Sequence, residues 1–343
     1  MLGESRYRAI RYVNRAMAGL GYNRDMFKVF VAHPIPKSGL QMLTGLQVDV
    51  NDQPGPLAKT DLISHAKDAH AIISFLSDKI DKEVLTACPN LKIISNYAVG
   101  VDNVDLSAAA EQSVVVTNTP DVLTEAVAEH TVALMLAAGR RIVEADRFMR
   151  AGRYKMWEAD LFLGKQFKGS VMGILGCGRI GTRVAEIANL GFGMEIIYYD
   201  SRRNPDMEKH LGAKFVDQAD LIGQADVLSI HIPLTQSTRH MMDAAKFSQM
   251  KPDAILVNTS RGAVIDEAAL VEALRNKTIG AAGLDVFENE PKMTPGLAEL
   301  DNVVVTPHIA SATITARDDM ARLAAQAVLD VAAGRTPAHV VAK

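Results

Sequence analysis

Three polar residues of this chain stand where a reacting group would be met. Arg261 lies in Asn258-Thr-Ser-Arg-Gly262, Glu290 in Asp285-Val-Phe-Glu-Asn-Glu-Pro291, and His308 in Thr306-Pro-His-Ile-Ala310, each following a short apolar run. If those runs are strands of a parallel sheet, all three residues sit at carboxyl ends, where α/β sheets bind ligands. Hydride transfer to a ketone needs a cation near the carbonyl oxygen, a proton donor, and a group that tunes that donor. An arginine, a histidine and an acid fill those roles. A carboxylate beside an imidazole favours its charged form, and histidine changes charge near neutral pH. Taken singly, each residue has a plainer reading: a surface ion pair, a helix cap, a Glu-Pro turn. Glu288 is as good an acid as Glu290 on chemistry alone.

A source of hydride is legible upstream. The run Val171-Met-Gly-Ile-Leu ends in Gly176-Cys-Gly178-Arg-Ile-Gly181, a G-x-G-x-x-G turn, and helix-compatible sequence follows from Thr182 to Leu190. A second apolar run, Met194 to Tyr199, ends at Asp200, nineteen residues past Gly181. Strand, glycine turn, helix, strand and acid in this order form a dinucleotide site. Gly176 permits the tight turn, Gly178 lets the backbone approach a pyrophosphate, and Gly181 lets helix and strand pack closely. The helix N-terminus offers free N–H groups and the positive end of its dipole. A carboxylate at Asp200 accepts ribose hydroxyls and repels a 2′-phosphate, which favours NADH over NADPH. Ser201-Arg202-Arg203 follows at once and pulls the other way, because arginines bind phosphate well.

These residues need elements to hold them, and the chain supplies two alternating series. The first has strand candidates at Lys28–Ala32, Gln47–Val50, Ala71–Phe75, Leu91–Ser95 and Val114–Thr117, with helices such as Pro56–Lys67, Asp81–Ala87 and Leu106–Gln112 between them. A long helix-like stretch runs from about Leu123 to Arg150, its apolar positions Val127, Thr131, Leu134, Met135 and Ala138 recurring at three and four. A loop-like segment, Ala151 to Lys168, leads to the second series: Val171–Leu175, Met194–Tyr199, Lys214–Val216, Val227–Ile230, Ala254–Asn258, Gly280–Leu284 and Val303–Thr306. Strands separated by helices imply parallel sheets. A last helix-like stretch, Ile314–Ala333, has no strand to follow and is expected to return to the first domain. The expected architecture is α/β, two doubly wound parallel-sheet domains with a cleft between them. The substrate domain takes 27–119 and 312–343, the dinucleotide-binding domain takes 120–311, and 1–26 form an N-terminal extension.

Composition narrows the function classes. At 343 residues, with 48% hydrophobic and 22% charged residues, the chain is an ordinary globular protein of roughly two domains. A net charge of −3 gives no reason to expect nucleic acid or an anionic membrane. No apolar run reaches the ~18 residues of a membrane span. Cys88 and Cys177 match no metal spacing and read as reduced thiols, which suggests a cytoplasmic protein with no metal. Arg6, Arg8, Arg11, Arg15 and Arg24 open the chain. An organelle presequence is one reading; few serines favour a surface extension or an upstream start.

One further segment could hold an anion. Asn96-Tyr-Ala-Val-Gly100-Val-Asp102 follows a strand, and its glycine could turn consecutive N–H groups toward one carboxylate. An ordinary strand-to-helix turn is the plainer alternative.

The chain resembles the D-isomer-specific 2-hydroxyacid dehydrogenases, most closely the glyoxylate/hydroxypyruvate reductase branch. The likeness runs from Lys28 to Val341. It is carried by Asn96-Tyr-Ala-Val-Gly-Val-Asp-Asn-Val-Asp105, Asn118-Thr-Pro-Asp-Val-Leu-Thr124, Phe162-Leu-Gly164, the glycine turn, His231-Ile-Pro-Leu-Thr235, and the segments around Arg261, Glu290 and His308. The resemblance implies a flavodoxin-like substrate domain and a Rossmann cofactor domain. It makes Arg261, Glu290 (the acid before proline, rather than Glu288) and His308 catalytic. It places the substrate carboxylate on the Val99 and Gly100 amides with help from Arg261, and Asp285 at the nicotinamide end. Cofactor contacts are expected from Gly176, Gly178, Arg179, Ile180, Gly181, Asp200, Ser201, Arg202, Thr259, Arg261, Asp285 and His308. Trp157 stands where the branch uses an aromatic of the partner subunit to wall the pocket, and the family forms homodimers through the cofactor domain. Ala310 departs from a common glycine.

The reading is an NAD(P)H-dependent reductase of small 2-oxo acids, glyoxylate or hydroxypyruvate first, forming D-2-hydroxy acids. The rival substrates are a larger sugar-derived 2-oxo acid or phosphohydroxypyruvate. The rival class is a dinucleotide-sensing scaffold, which would not need to retain all three chemical residues.

Overall fold

The computed structural model describes residues 26–342, so the expected N-terminal extension lies outside the described residues apart from Met26. The chain divides into two compact units, one running to Leu123 and resuming at Thr313, the other Thr124–Ala312. The change of unit comes four residues later than the expected boundary. Asn118 and Thr119 stay with the first unit because their N–H groups donate to His339 O and Ala98 O, at 3.3 and 2.9 Å.

The first unit contains, in chain order, β1 Lys28–Val31, α1 Lys37–Met42, β2 Gln47–Val50, α2 Lys59–Ala66, β3 Ala71–Ser74, α3 Lys82–Ala87, β4 Ile93–Asn96, α4 Leu106–Glu111 and β5 Val115–Thr117. The second contains α5 Thr124–Gly139, α6 Ile142–Arg150, β6 Val171–Leu175, α7 Arg179–Glu186, β7 Glu195–Tyr199, α8 Pro205–Leu211, β8 Lys214–Phe215 and α9 Gln218–Gln224. It continues with β9 Val227–Ile230, α10 Ala244–Phe247, β10 Ile255–Asn258, α11 Glu267–Arg275, β11 Ala281–Leu284 and β12 Val303–Val305. Helix α12, Ile314–Ala332, and strand β13, Val340–Ala342, complete the first unit.

The first sheet has the order β2-β1-β3-β4-β5-β13, which is the flavodoxin-like order with an added edge. That edge strand is a correction to the sequence reading. Val340↔Thr117 pair antiparallel, so no crossover helix announces β13. One face packs Phe30, Ile72, Ile94 and Val116 against Leu62, Val84, Leu85 and Ala108. On the other face α12 returns to the sheet: Ser95 Oγ donates to Ala324 O at 3.0 Å and Tyr97 OH to Arg317 O at 2.7 Å.

The second sheet has the order β8-β7-β6-β9-β10-β11-β12, with parallel pairs throughout. Successive residues of its strands face opposite layers. Val227, Ile255 and Val257 pack with α5 and α7 residues such as Leu134, Met135 and Val184. Leu228 and Leu256 pack with Leu221, Leu270 and Leu274 on the other side. Full burial of each such side chain contributes about 1.5–3 kcal/mol. Helix starts are fixed by side-chain caps: Asp81, Asp105, Asp217, Asp243, Asp266, Asn204 and Thr313 each accept an N–H three residues on. Each is worth about 1 kcal/mol.

The long helix expected over 123–150 is two helices. Val127, Thr131, Leu134, Met135 and Ala138 are all buried on α5 as their spacing implies. The helix then stops, because Arg141 turns left-handed at φ +54° and Gly139 O accepts the Lys165 N–H at 2.8 Å. None of the residues of α6 is buried. Among the described residues no helix is long and apolar enough to cross a membrane, and no group of three His, Cys, Asp or Glu residues could hold a metal.

Candidate active site

The glycine turn joins β6 to α7 within the second unit. Gly176 has φ +98°, and a Cβ there would lie 2.8 Å from the His231 carbonyl. A Cβ at Gly181 would stand 2.0 Å from Gly176 O, so any other residue would force helix and strand apart. Gly178 differs from both: a Cβ there would meet no protein atom within 4 Å. It caps α7 without a side-chain hydrogen bond. The turn therefore leaves open space in front of uncapped N–H groups, as a dinucleotide pyrophosphate requires. Arg179 and Ile180 occupy the first turn of this helix.

Asp200 closes the same turn from the end of β7. Cys177 N–H donates to its Oδ2 at 2.7 Å, and Oδ1 accepts the Ser201 hydroxyl at 3.0 Å and Arg202 N–H at 3.2 Å. A carboxylate has about four acceptor positions, so capacity remains for a ribose hydroxyl. The two arginines that follow are unequal. Arg203 donates twice to Glu208, at 3.0 and 2.9 Å, and lies 5.7 Å from the Phe215 ring centre. The Arg202 side chain is exposed and makes no ion pair with a described residue. Cys177, in the turn itself, is an unpaired thiol, and burial pushes its pKa up to about 12. It is not a nucleophile near neutral pH.

Arg261, Glu290 and His308 come from the ends of β10, β11 and β12. Asn258, fully buried, shapes the first loop: its Oδ1 accepts from the Ser260 N–H and hydroxyl, and its Nδ2 donates to Arg261 O at 2.9 Å. Gly262 then lets this loop touch the next, since a Cβ there would fall 1.9 Å from the Phe287 carbonyl carbon. Thr259, beside Arg261, shares a 2.8 Å hydrogen bond with Thr131 of α5. Glu290 Oε2 lies 2.9 Å from His308 Nδ1, and Oε1 accepts the Phe287 N–H at 3.0 Å. Burial pushes the Glu290 pKa up, but the His308 contact, the Phe287 N–H and the Arg261 charge outweigh it and hold it below the usual carboxylate value. The acid is thus an anion across the neutral range.

Glu288 is not with them. Its Oε1 lies 2.6 Å from His240 Nε2 and accepts from Arg239 at 2.9 Å. Asp285 serves the backbone of the next loop. It is fully buried, and both carboxylate oxygens serve the loop of His308, Oδ1 accepting from Ile309 N–H and Oδ2 from Ala310 N–H.

In the first unit the Val99-Gly100 loop leaves the end of β4, where sheet ligands bind. Asn118 Nδ2 donates to Val99 O at 2.8 Å and Asn96 Nδ2 to Gly100 O at 2.7 Å. Asn103 braces Asn96 and reaches the carbonyls of Phe75 and Asp78. With both carbonyls held, the peptide planes of the loop are fixed. These asparagines were not singled out from the sequence. All three stood inside quoted motifs, but which carbonyls they hold, such as Val99 O for Asn118 and Phe75 O for Asn103, depends on segments apart in sequence. Trp157 lies in the segment after α6, 75% exposed.

A sequence profile described as the D-isomer specific 2-hydroxyacid dehydrogenase NAD binding domain matches residues 132–310. The chain is also similar to the glyoxylate reductase of Thermococcus litoralis, 45% identical over 321 residues covering 92% of this chain and 97% of that protein. The chain belongs to the D-isomer-specific 2-hydroxyacid dehydrogenase family. Glyoxylate reductase of Aeropyrum pernix is 46% identical over the same share of this chain and 95% of its own. Among solved structures, a protein of Thermus thermophilus superposes with a TM-score of 0.86 at 42% identity, over 92% of this chain and 100% of that one. The NADPH-dependent glyoxylate/hydroxypyruvate reductase of Sinorhizobium meliloti, in complex with NADP and malonate, gives 0.80 at 31% identity, over 93% and 97%. This dehydrogenase lies in the glyoxylate/hydroxypyruvate reductase branch. It is an NAD(P)-dependent oxidoreductase of small 2-oxo and 2-hydroxy acids.

Proposed function

We propose that this dehydrogenase reduces glyoxylate or hydroxypyruvate to the 2-hydroxy acid, with NADH as the preferred donor. The observation that carries the reading is the 2.9 Å contact of His308 Nδ1 with Glu290 at the strand ends that also present Arg261. With Nδ1 held by a carboxylate, Nε2 is the nitrogen that passes a proton. The Val99 and Gly100 amides take the substrate carboxylate, and Arg261 draws electron density onto the ketone oxygen. A reduced dinucleotide held at the glycine turn and Asp200 would supply the hydride for the carbonyl carbon. His308 gives its proton to the oxygen, and Glu290 stabilises the imidazolium beforehand and orients it throughout. The neutral imidazole is then reprotonated from solvent.

Asp200 supports NADH, because its carboxylate closes the glycine turn from the end of β7 while Arg203 is already engaged by Glu208. Purified protein assayed with both cofactors against glyoxylate, hydroxypyruvate, phosphohydroxypyruvate and larger sugar-derived 2-oxo acids tests both parts. Highest kcat/KM on a larger or phosphorylated acid overturns the substrate assignment, and a preference for NADPH overturns the cofactor assignment. Asp200→Ala sharpens the second test. It removes an attraction for one cofactor and a repulsion for the other, so the NADPH/NADH efficiency ratio rises, by about tenfold for a lost charged hydrogen bond.

The protein acts as a homodimer in this reading. Ile142 and Met149 on α6, then Tyr154, Met156, Trp157 and Leu163, are all exposed, from 46% to 75%. Exposed apolar side chains gathered within one stretch of sequence suit an interaction surface, and in this reading a second copy covers them, with Trp157 walling the partner's pocket. Sedimentation equilibrium showing only monomer at micromolar concentration refutes this. A cytoplasmic location goes with two unpaired thiols.

A further inference from the structure

His308 holds a left-handed backbone, φ +53°, a conformation histidine tolerates better than most residues but does not prefer. The surrounding hydrogen bonds account for it. His308 N–H donates to Asp285 O at 2.8 Å and Thr306 O at 3.1 Å. The next two N–H groups, of Ile309 and Ala310, donate to the two carboxylate oxygens of Asp285 at 2.8 and 2.7 Å. Asp285 therefore fixes three successive peptides of the turn.

The carboxylate is itself fixed from α5. Thr306 Oγ1 donates to Asp285 Oδ1 at 2.6 Å. His130 Nε2 lies 3.0 Å from Thr306 Oγ1 and 3.5 Å from Asp285 Oδ1. Burial pushes the Asp285 pKa up, but hydrogen bonds from His130, Thr306, Ile309 and Ala310 outweigh it and keep the group ionised. An ionised carboxylate only accepts, and a hydroxyl has one hydrogen. The Thr306 hydrogen is therefore spent on Asp285, and the contact with His130 requires Nε2–H as donor. The helix that carries His130 is anchored by buried Val127, Thr131, Leu134 and Met135, so the chain of bonds ends on a rigid element.

We propose that His130, donating through Nε2–H to Thr306, is a positioning residue for the proton donor. His130 and Thr306 set the Asp285 carboxylate, which sets the turn that aims His308. The inference rests on the reading of His308 as that donor and names the residues that set its aim.

The test uses the full-length enzyme with its best substrate from the panel. His130→Ala and Thr306→Val lower kcat by ~10–10², the scale of a misplacement of about 1 Å, while the dissociation constant for NADH, read by fluorescence titration, stays within about threefold of the parent's. His130→Gln and Thr306→Ser, which keep a donor and a hydroxyl, return kcat to within about threefold of the parent's. Nitrogen-15 NMR shows His130 carrying a proton on Nε2. Parental kcat in both His130→Ala and Thr306→Val, with only a lower melting temperature, overturns the proposal, as does an Nδ1–H tautomer at His130. If Thr306→Val does not fold, His130→Ala and the tautomer decide. His308→Gln is run beside them. Near-parental turnover there sinks the proton-donor reading itself, whereas an inactive His308→Gln beside a fully active His130→Ala sinks this inference alone.

Discussion

Glu288 and Glu290 are two residues apart, and each meets a histidine. His240 Nε2 lies 2.6 Å from Glu288 Oε1, and His308 Nδ1 lies 2.9 Å from Glu290 Oε2. Both histidines are left-handed, at φ +50° and +53°. Distance and backbone therefore do not separate the pairs. The ring nitrogen does. His240 spends Nε2, the atom farthest from its backbone, on the carboxylate. His308 spends Nδ1 and keeps Nε2 for another partner. The acids differ as well: Glu288 is shared with the Arg239 guanidinium at 2.9 Å, so one carboxylate meets both a guanidinium and an imidazole. Glu290 takes one imidazole and the Phe287 N–H. One pair ties two loops together; the other leaves a proton-bearing atom available. A short His–Glu contact is not evidence of catalysis until the remaining nitrogen is placed.

The largest test of that contrast is His308→Gln. Cofactor binding persists, and kcat falls by ~10²–10⁴, the range for a lost general acid. A His240→Gln variant that fell as far, beside a mild His308→Gln, would reverse the assignment. Glu290→Gln comes next, with a fall of ~10–10² from lost orientation and a displaced pH profile. The sign follows from the charges. Glu290, held below its usual pKa, is anionic wherever an imidazole titrates, and its negative charge favours the imidazolium. Without it the charged form of the ring loses its stabilising neighbour. Reduction needs the charged ring, so its alkaline limb moves down; oxidation of the 2-hydroxy acid needs the neutral ring, so its acid limb moves down too. Rate profiles in both directions check this. An unmoved or upward-moved limb separates Glu290 from proton transfer.

The two pairs also show how far a sequence carries. Strands such as Val171–Leu175 and Val227–Ile230 are legible to the residue, because strands covered on both faces are continuous apolar runs. The glycine turn is legible because Gly176 and Gly181 answer to steric limits that no other residue meets. Strand β13 is not, being three residues long and lacking a crossover helix. The break at Arg141 is hidden as well, since it depends on a contact from Lys165, beyond the end of α6. Residue types could not choose between Glu288 and Glu290; the resemblance supplied that choice. His130 carried no signal, for in Ala128-Glu-His-Thr-Val132 it reads as one more helical residue, and its partner is 176 positions away. Which ring nitrogen faces the acid is a property of backbone placement, and composition and spacing do not encode it.

The smallest expected effect is the most discriminating. Glu288→Gln leaves His308 and Glu290 untouched, so kcat and the pH limbs stay close to the parent's, within about twofold. The substitution does remove a charge that holds Arg239 and His240. The Glu288 side chain is 15% exposed and that of Arg239 52%, so the ion pair is partly screened and its loss costs about 1 kcal/mol or less. The Glu288 N–H still donates to Glu267 Oε1 at 2.7 Å, which keeps the loop in place. Thermal melting should therefore shift slightly downward while the pH–rate profile does not move. A small, purely thermal effect is what a tie between loops predicts. A downward shift of the alkaline limb in Glu288→Gln, matching that of Glu290→Gln, would mean that the two carboxylates act on the same imidazole as one charge, and the contrast between the pairs would dissolve.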